Sequence, residues 1–126
     1  MAGSHFKDLV VWKKAIDLVT EVYKITGTFP KEELFSLTNQ IRRAAISVPS
    51  NIAEGQQRSA AREFIHFLNI AKGSLGELET QIIICSRLDY LDHEKTETLT
   101  AKCNEIGRML NGLINSIQSA SAGHKN

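Results

Sequence analysis

Proline occurs only twice in the 126 residues, and aromatic side chains make up 6% of them. Sandwich and barrel folds draw heavily on turn residues and on aromatic strand positions, so this scarcity favours an all-helical chain. Cysteine also occurs only twice, at Cys85 and Cys103, with no spacing that would pair ligands around a metal. Both fall on apolar helical stripes, where a free thiol packs as a small hydrophobe, as suits a reducing cytoplasm. No apolar run approaches the roughly 18 residues of a membrane span, and no signal peptide is evident. The formal net charge is +1, so no global field draws the chain to nucleic acid or to anionic lipid. No serine has a plausible histidine and acid set around it, and neither a nucleophile elbow nor a glycine-rich phosphate loop is present. Together these absences predict a cytoplasmic, non-enzymatic protein with no cofactor, no small-molecule substrate and no membrane partner.

What is present is helical periodicity. A chain of this length fits one domain that buries roughly two thirds of its unfolded surface. That domain is expected at residues 6–118, with flexible ends at 1–5 and 119–126. A first helix is predicted from Asp8 to Ile25, ended by Gly27 and barred from continuing by Pro30. A second runs from about Glu32 to Gln57 on Leu34, Leu37, Ile41, Ala44, Ala45, Val48 and Ile52. A third follows Ser59 as N-cap, buries Phe64, Phe67, Leu68, Ala71, Leu75, Leu78, Ile82, Cys85 and Leu88, and ends near LDYLD. A fourth starts at Asp92 as N-cap and buries Leu99, Cys103, Ile106, Leu110, Leu113 and Ile117. Short connections make neighbours antiparallel, which predicts an all-α, up-down-up-down four-helix bundle.

The first helix has an apolar arc of roughly 200°, about twice what one-sided packing needs. Leu9, Trp12, Ile16, Val19 and Tyr23 form one stripe; Val11, Ala15, Leu18, Val22 and Ile25 form another. The bundle is expected to cover the flank with Trp12, Ile16 and Val19. Val11, Leu18, Val22 and Ile25 would then remain as an oligomer interface, since monomers rarely expose more than a few hundred Å² of contiguous apolar surface. The alternative is that Phe29 folds back over this flank.

The segment SVPSNIAEG, Ser47 to Gly55, interrupts the second helix chemically but not in phase. Pro49 lacks an N–H and crowds the Ala45 carbonyl, so the expectation is a kinked, continuous helix. Asn51 and Glu54 point inward. With the turn centred on Ser59, Ala44 and Ala45 meet Gly73 and Ser74, and small residues let the two backbones approach. A structural polar seam of Asn51, Glu54, Ser74 and Glu77 is therefore expected.

Arg42, Arg43, Arg58 and Arg62 against Glu54 give Gln40 to Arg62 a local excess of three positive charges. They are the candidate nucleic-acid contacts, with pairing to Glu54, Glu63 or Glu77 as the alternative. No aromatic interleaves with them, so base stacking has no sequence support. Glu63 and His66 supply one Glu-x-x-His pair, but a carboxylate-bridged metal bundle needs two, so no metal is expected. His5, His93 and His124 lie at ends and turns.

LTNQIRRAAISVPSNIAEG followed by FIHFLNIAKGSLGELETQI resembles the family of 23S rRNA intervening-sequence proteins. The opening FKDLVVWKKAIDLVTEVY and the join FPKEELFSLTNQIRRAA match that pattern as well, so the resemblance covers about Phe6 to Ile117. It implies a four-helix bundle encoded within, or related to, inserts in bacterial 23S rRNA genes, with no demonstrated activity for most members. A related group of accessory proteins serves diversity-generating retroelements, forms pentameric barrels and binds nucleic acid and a reverse transcriptase. By that resemblance the expected partners are further copies of the chain, as a pentamer, and RNA or DNA. That group is strongly basic, and this chain is not. The alternative function is a protein–protein adaptor with no nucleic-acid contact.

Overall fold

Helices form where the apolar period predicts them: α1 (Val10–Thr26), α2 (Leu37–Gln56), α3 (Ala61–Arg87) and α4 (His93–His124), with 3-10 turns at Phe6–Asp8 and Lys31–Glu33. This computed structural model describes residues 5–124, and among them there is no strand. Each helix packs on its neighbours in the chain, and α1 closes on α4, as in a four-helix bundle. Two interfaces are antiparallel by their contacts. Arg42, early in α2, reaches Thr26 at the end of α1, whereas later α2 residues share a groove with Trp12, Ile16 and Val19. Ser47 meets Ser74, and further along α2 Gly55 meets Phe67.

One continuous core runs through the bundle. Leu18, Ile41, Ile52, Leu68, Leu78, Ile82, Leu99, Ile106 and Leu110 are fully buried. Each such side chain contributes roughly 1.5–3 kcal/mol of burial free energy. Ile114 joins this core, whereas Leu113 and Ile117 pack against it half-buried. Helix α2 runs unbroken through Pro49, which is itself buried, and Val48 and Ile52 on either side are both at 0% exposure.

The helix ends follow local chemistry. Asp92 caps α4 as expected: its Oδ1 accepts the Lys95 N–H at 2.8 Å. Helix α3 ends through Asp89, whose φ of 62° lets Tyr90 N–H reach the Cys85 carbonyl and Asp89 N–H the Ser86 carbonyl, the paired bonds of a Schellman motif. Helix α2 starts later than Glu32. Lys31–Glu33 is a 3-10 turn, and Ser36, at φ −127° and ψ −101°, is not helical. Leu34 is consequently exposed rather than part of the α2 stripe. The cap of α3 is Ala60, with no side-chain bond, rather than Ser59. Separately, Ser47 rather than Ala44 meets Ser74, so the α2–α3 register is offset by about one helical turn from the expected pairing. Gly73 and Gly76 therefore face open space, with nothing within 4 Å of a Cβ on either. Leu88, placed in the α3 stripe, is exposed. Helix α4 continues past Ile117 to His124, so residues 119–124 of the expected end are helical; Ala120 and Ala122 are strong helix formers. His5 caps the first 3-10 turn, its Nδ1 accepting the Lys7 N–H. The rest of the expected flexible ends, residues 1–4 and 125–126, lies outside the described residues.

The largest correction concerns α1. Val11, Leu18, Val22 and Ile25, expected at an oligomer interface, are buried inside the bundle at 4%, 0%, 0% and 7% exposure. The stripe through Ala15 faces the core because a small residue at its centre lets the neighbouring helices close in. Phe29 folds back into the core that holds Ile25, buried and with its ring tilted 47° to the Tyr90 ring at 5.3 Å. The opposite flank is the outer one: Ile16 and Tyr23 are exposed, and Trp12 and Val19 are half-buried. Tyr and Trp carry a polar tip that prefers a wet edge, which is the physical reason the bundle turns this stripe outward.

Candidate functional site

The polar seam between α2 and α3 is smaller than the sequence suggests. Asn51 donates from Nδ2 to the Ser47 carbonyl at 2.8 Å and to Ser47 Oγ at 3.0 Å. Ser47 Oγ in turn lies 2.7 Å from Ser74 Oγ. Asn51, Ser47 and Ser74 thus make a half-buried relay across the interface. Its backbone acceptor is Ser47, not the Ala45 carbonyl that Pro49 leaves without a partner. Glu54 and Glu77 stand outside the relay on exposed positions; Glu54 pairs with Arg58, and Glu77 accepts a long 3.5 Å contact from Gln81.

The four arginines do not form one patch. Arg42 and Arg43 lie near the start of α2, and Arg58 and Arg62 beyond its far end. At 1.5 Å per residue that is a separation of about 20–25 Å. Arg42 is docked: its Nε donates to Thr26 Oγ1 at 2.8 Å, and its guanidinium lies 4.5 Å over the Tyr23 ring. Arg58 is held by Glu54 and stacks 4.9 Å over Phe67. Arg43 and Arg62 are exposed, and among the described residues neither belongs to an ion pair.

A second cluster, not anticipated from the sequence, pins one end of the bundle. Glu33 accepts from Ser36 Oγ at 2.7 Å and from Tyr90 hydroxyl at 2.8 Å. These bonds, Ser36 first and Tyr90 next, hold the Glu33 carboxyl below the usual glutamate range. The same bond pushes the Tyr90 hydroxyl above the ordinary tyrosine range. Glu33 thereby ties the α1–α2 connection to the α3–α4 connection. A carboxylate three residues before a serine and next to a proline turn was the available signal; Tyr90 is too distant in sequence to read as its partner.

Between the Glu33 cluster and the seam lies an open cleft of about 490 Å³, lined by Phe35, Asn39, Gln40, Arg43, Ala44, Ser47 and Glu77. A second, apolar groove of about 350 Å³ runs between α1 and α2, lined by Trp12, Ile16, Val19, Ile46, Pro49, Ser50 and Ala53. Cys85 and Cys103 are buried and free; burial pushes their thiols up to about 11 and about 12, far from a reactive thiolate. Among the described residues no three His, Cys, Asp or Glu side chains gather where a metal could bind, and no helix is long and apolar enough to cross a membrane.

The sequence matches the family model of the 23S rRNA-intervening sequence protein over residues 7–112. No curated protein matches the chain. A solved relative is the crystal structure of a protein of unknown function from the S23 ribosomal protein family of Bacteroides thetaiotaomicron VPI-5482. It is 28% identical, with a TM-score of 0.75 over 83% of this chain and 98% of that one. Neither match is to an enzyme family. A helical core of this kind under a family match of that extent has one reading: the chain belongs to the 23S rRNA-intervening sequence protein family.

Proposed function

We propose that this protein is a non-enzymatic, self-associating helical bundle of the cytoplasm that binds RNA. The observation that carries the reading is the family match across residues 7–112, a family named for inserts in ribosomal RNA; the solved relative is likewise assigned to a ribosomal protein family. The chain's own surface supports it modestly. Arg43 and Arg62 are exposed cations outside any ion pair, and Arg58 adds a third whose surface pair with Glu54 is readily exchanged for a phosphate. Their spread of about 20–25 Å suits several phosphates along a strand rather than one anion. Self-association, with the pentamer implied by resemblance as the expected number, falls to the outer flank of α1.

The test is fluorescence anisotropy of a labelled single-stranded RNA at 50 and 200 mM salt. Phosphate-dominated binding weakens steeply between the two. An Arg43→Gln, Arg62→Gln variant, which leaves the docked Arg42 in place, should bind more weakly and with a shallower salt slope. Absence of binding at low salt overturns RNA association and returns the protein–protein adaptor reading; parental affinity in the double variant eliminates these two arginines as contacts.

A further inference from the structure

The cleft under Phe35 combines features that no core requirement explains. Phe35 is 90% exposed, and among the described aromatic pairs its ring has no partner. Its backbone is nonetheless fixed. Glu33, two residues before it, holds Tyr90 of the next connection and Ser36 immediately after it. An exposed ring on a pinned turn is a preorganised platform, which loses little freedom when something flat is laid on it.

The walls below the ring are polar. Asn39, Gln40 and Arg43 come from the first turns of α2, and Glu77 faces them from α3. Arg43 and Glu77 line the same cleft yet do not pair with each other. The site therefore offers a cation outside any ion pair among the described residues and, across the cleft, a carboxylate engaged by the long 3.5 Å approach of Gln81. Ser47 closes the cleft at its inner end, already bonded to Asn51 and Ser74. The volume, about 490 Å³, lies in the range of small-ligand pockets, about 300–1,000 Å³.

We infer that this cleft binds an unpaired guanine base of RNA. The inference rests on the RNA-binding reading above and names the base that reading would place here. Phe35 stacks on the face of the base, as aromatic side chains do with splayed single-stranded nucleotides. Guanine is the base with two adjacent N–H donors on its Watson–Crick edge, and a carboxylate such as Glu77 accepts both. Asn39 and Gln40 each offer a donor and an acceptor to the remaining edge. Arg43 takes the adjoining phosphate through charge-assisted bonds. The stacking role was invisible in the sequence because Phe35 precedes Arg43 by about two turns' length of chain and joins it only through the fold.

Guanosine monophosphate and two labelled RNAs, a uridine decamer and the same decamer with one central guanine, test this. The protein is followed by amide NMR shifts and by anisotropy. The expected result is a set of shifts at Asn39, Gln40, Arg43 and Glu77 on adding the nucleotide, and tighter binding of the guanine-containing RNA. Phe35→Ala should weaken that RNA by about tenfold while leaving the thermal midpoint unchanged, because the ring is exposed. Glu77→Gln should remove the preference for guanine but keep the affinity for the uridine decamer. Salt-dependent RNA binding with no guanine preference, no shifts at these amides and no effect of either variant overturns the site and leaves RNA binding standing. Nucleotide shifts without RNA binding keep the site and overturn RNA as its source. Loss of both overturns both. A Phe35→Ala variant that changes the mass in light scattering but not the nucleotide shifts assigns the ring to a subunit contact and also overturns the site.

Discussion

A methyl group on Gly55 would lie 2.7 Å from Cβ of Phe67. Carbon atoms do not approach so closely, and the Phe64 ring and carbonyl crowd the same spot at 3.0 and 3.1 Å. Gly55 is thus where the backbones of α2 and α3 come together just before the chain reverses. Gly55→Ala should destabilise by about 1–3 kcal/mol through overpacking, despite the better helix propensity of alanine. Gly73→Ala and Gly76→Ala sit mid-helix with nothing in the way and should each stabilise by about 0.5–1 kcal/mol. Denaturant titration of the three variants reads the opposite signs directly.

The α2–α3 relay gives a second test. Ser47 Oγ and Ser74 Oγ share a 2.7 Å hydrogen bond in a half-buried interface. Ser47→Ala and Ser74→Ala, combined in a double-mutant cycle, should show a coupling of about 0.5–1.5 kcal/mol. Asn51→Leu should cost about 1–3 kcal/mol by leaving the Ser47 hydroxyl short of a partner. Additive single effects in urea unfolding would mean that the two hydroxyls do not depend on each other.

What was legible in the sequence was local. Asp92 lies three residues before the N–H it caps, and the phase from Val48 to Ile52 carries α2 through Pro49. What failed was long-range. The α2–α3 pairing depended on how the two helix surfaces settle against each other, and Ser74 meets Ser47 rather than Ala44, about a turn away. Two complete apolar stripes on α1 left its core face ambiguous, and only packing against α2 and α4 resolved it. Four arginines close in sequence became two separated pairs because a helix rises about 1.5 Å per residue. Phe35 and Glu33 acquired their roles from a non-helical connection that the apolar period had absorbed into α2.

The Glu33 cluster predicts a pH dependence. Its carboxyl is held below the usual glutamate range by Ser36 and then Tyr90, so the folded state favours the ionised form. That contribution is fully present above the unfolded glutamate value, about 4.3, and is lost as pH falls through the lower folded value. Thermal midpoints measured from pH 7 to pH 3 should drop more steeply in the parent than in Glu33→Gln, with the two curves converging at the acid end. Parallel curves would show that Glu33 is not a stabilising anion in the fold.

The outer flank of α1 carries the last expectation. Leu18 and Val22 are at 0% exposure, so Leu18→Glu, Val22→Glu would bury two unpaired charges and should unfold the domain rather than merely separate subunits. Self-association must use what the bundle leaves outside. Trp12, Ile16, Val19, Ile46, Pro49 and Ala53 line one apolar groove across α1 and α2, with Ile16 and Ile46 exposed at 37% and 40%. A contiguous apolar groove of this kind is the surface that the proposed self-association would cover, and a patch that meets a different patch on the next copy closes rings when the rotation allows. Ile16→Glu, Ile46→Glu should therefore keep the helical circular dichroism of the parent and lower the light-scattering mass toward the monomer at micromolar concentration. A parent that is already monomeric, or a double variant with unchanged mass, would exclude this groove as the assembly surface.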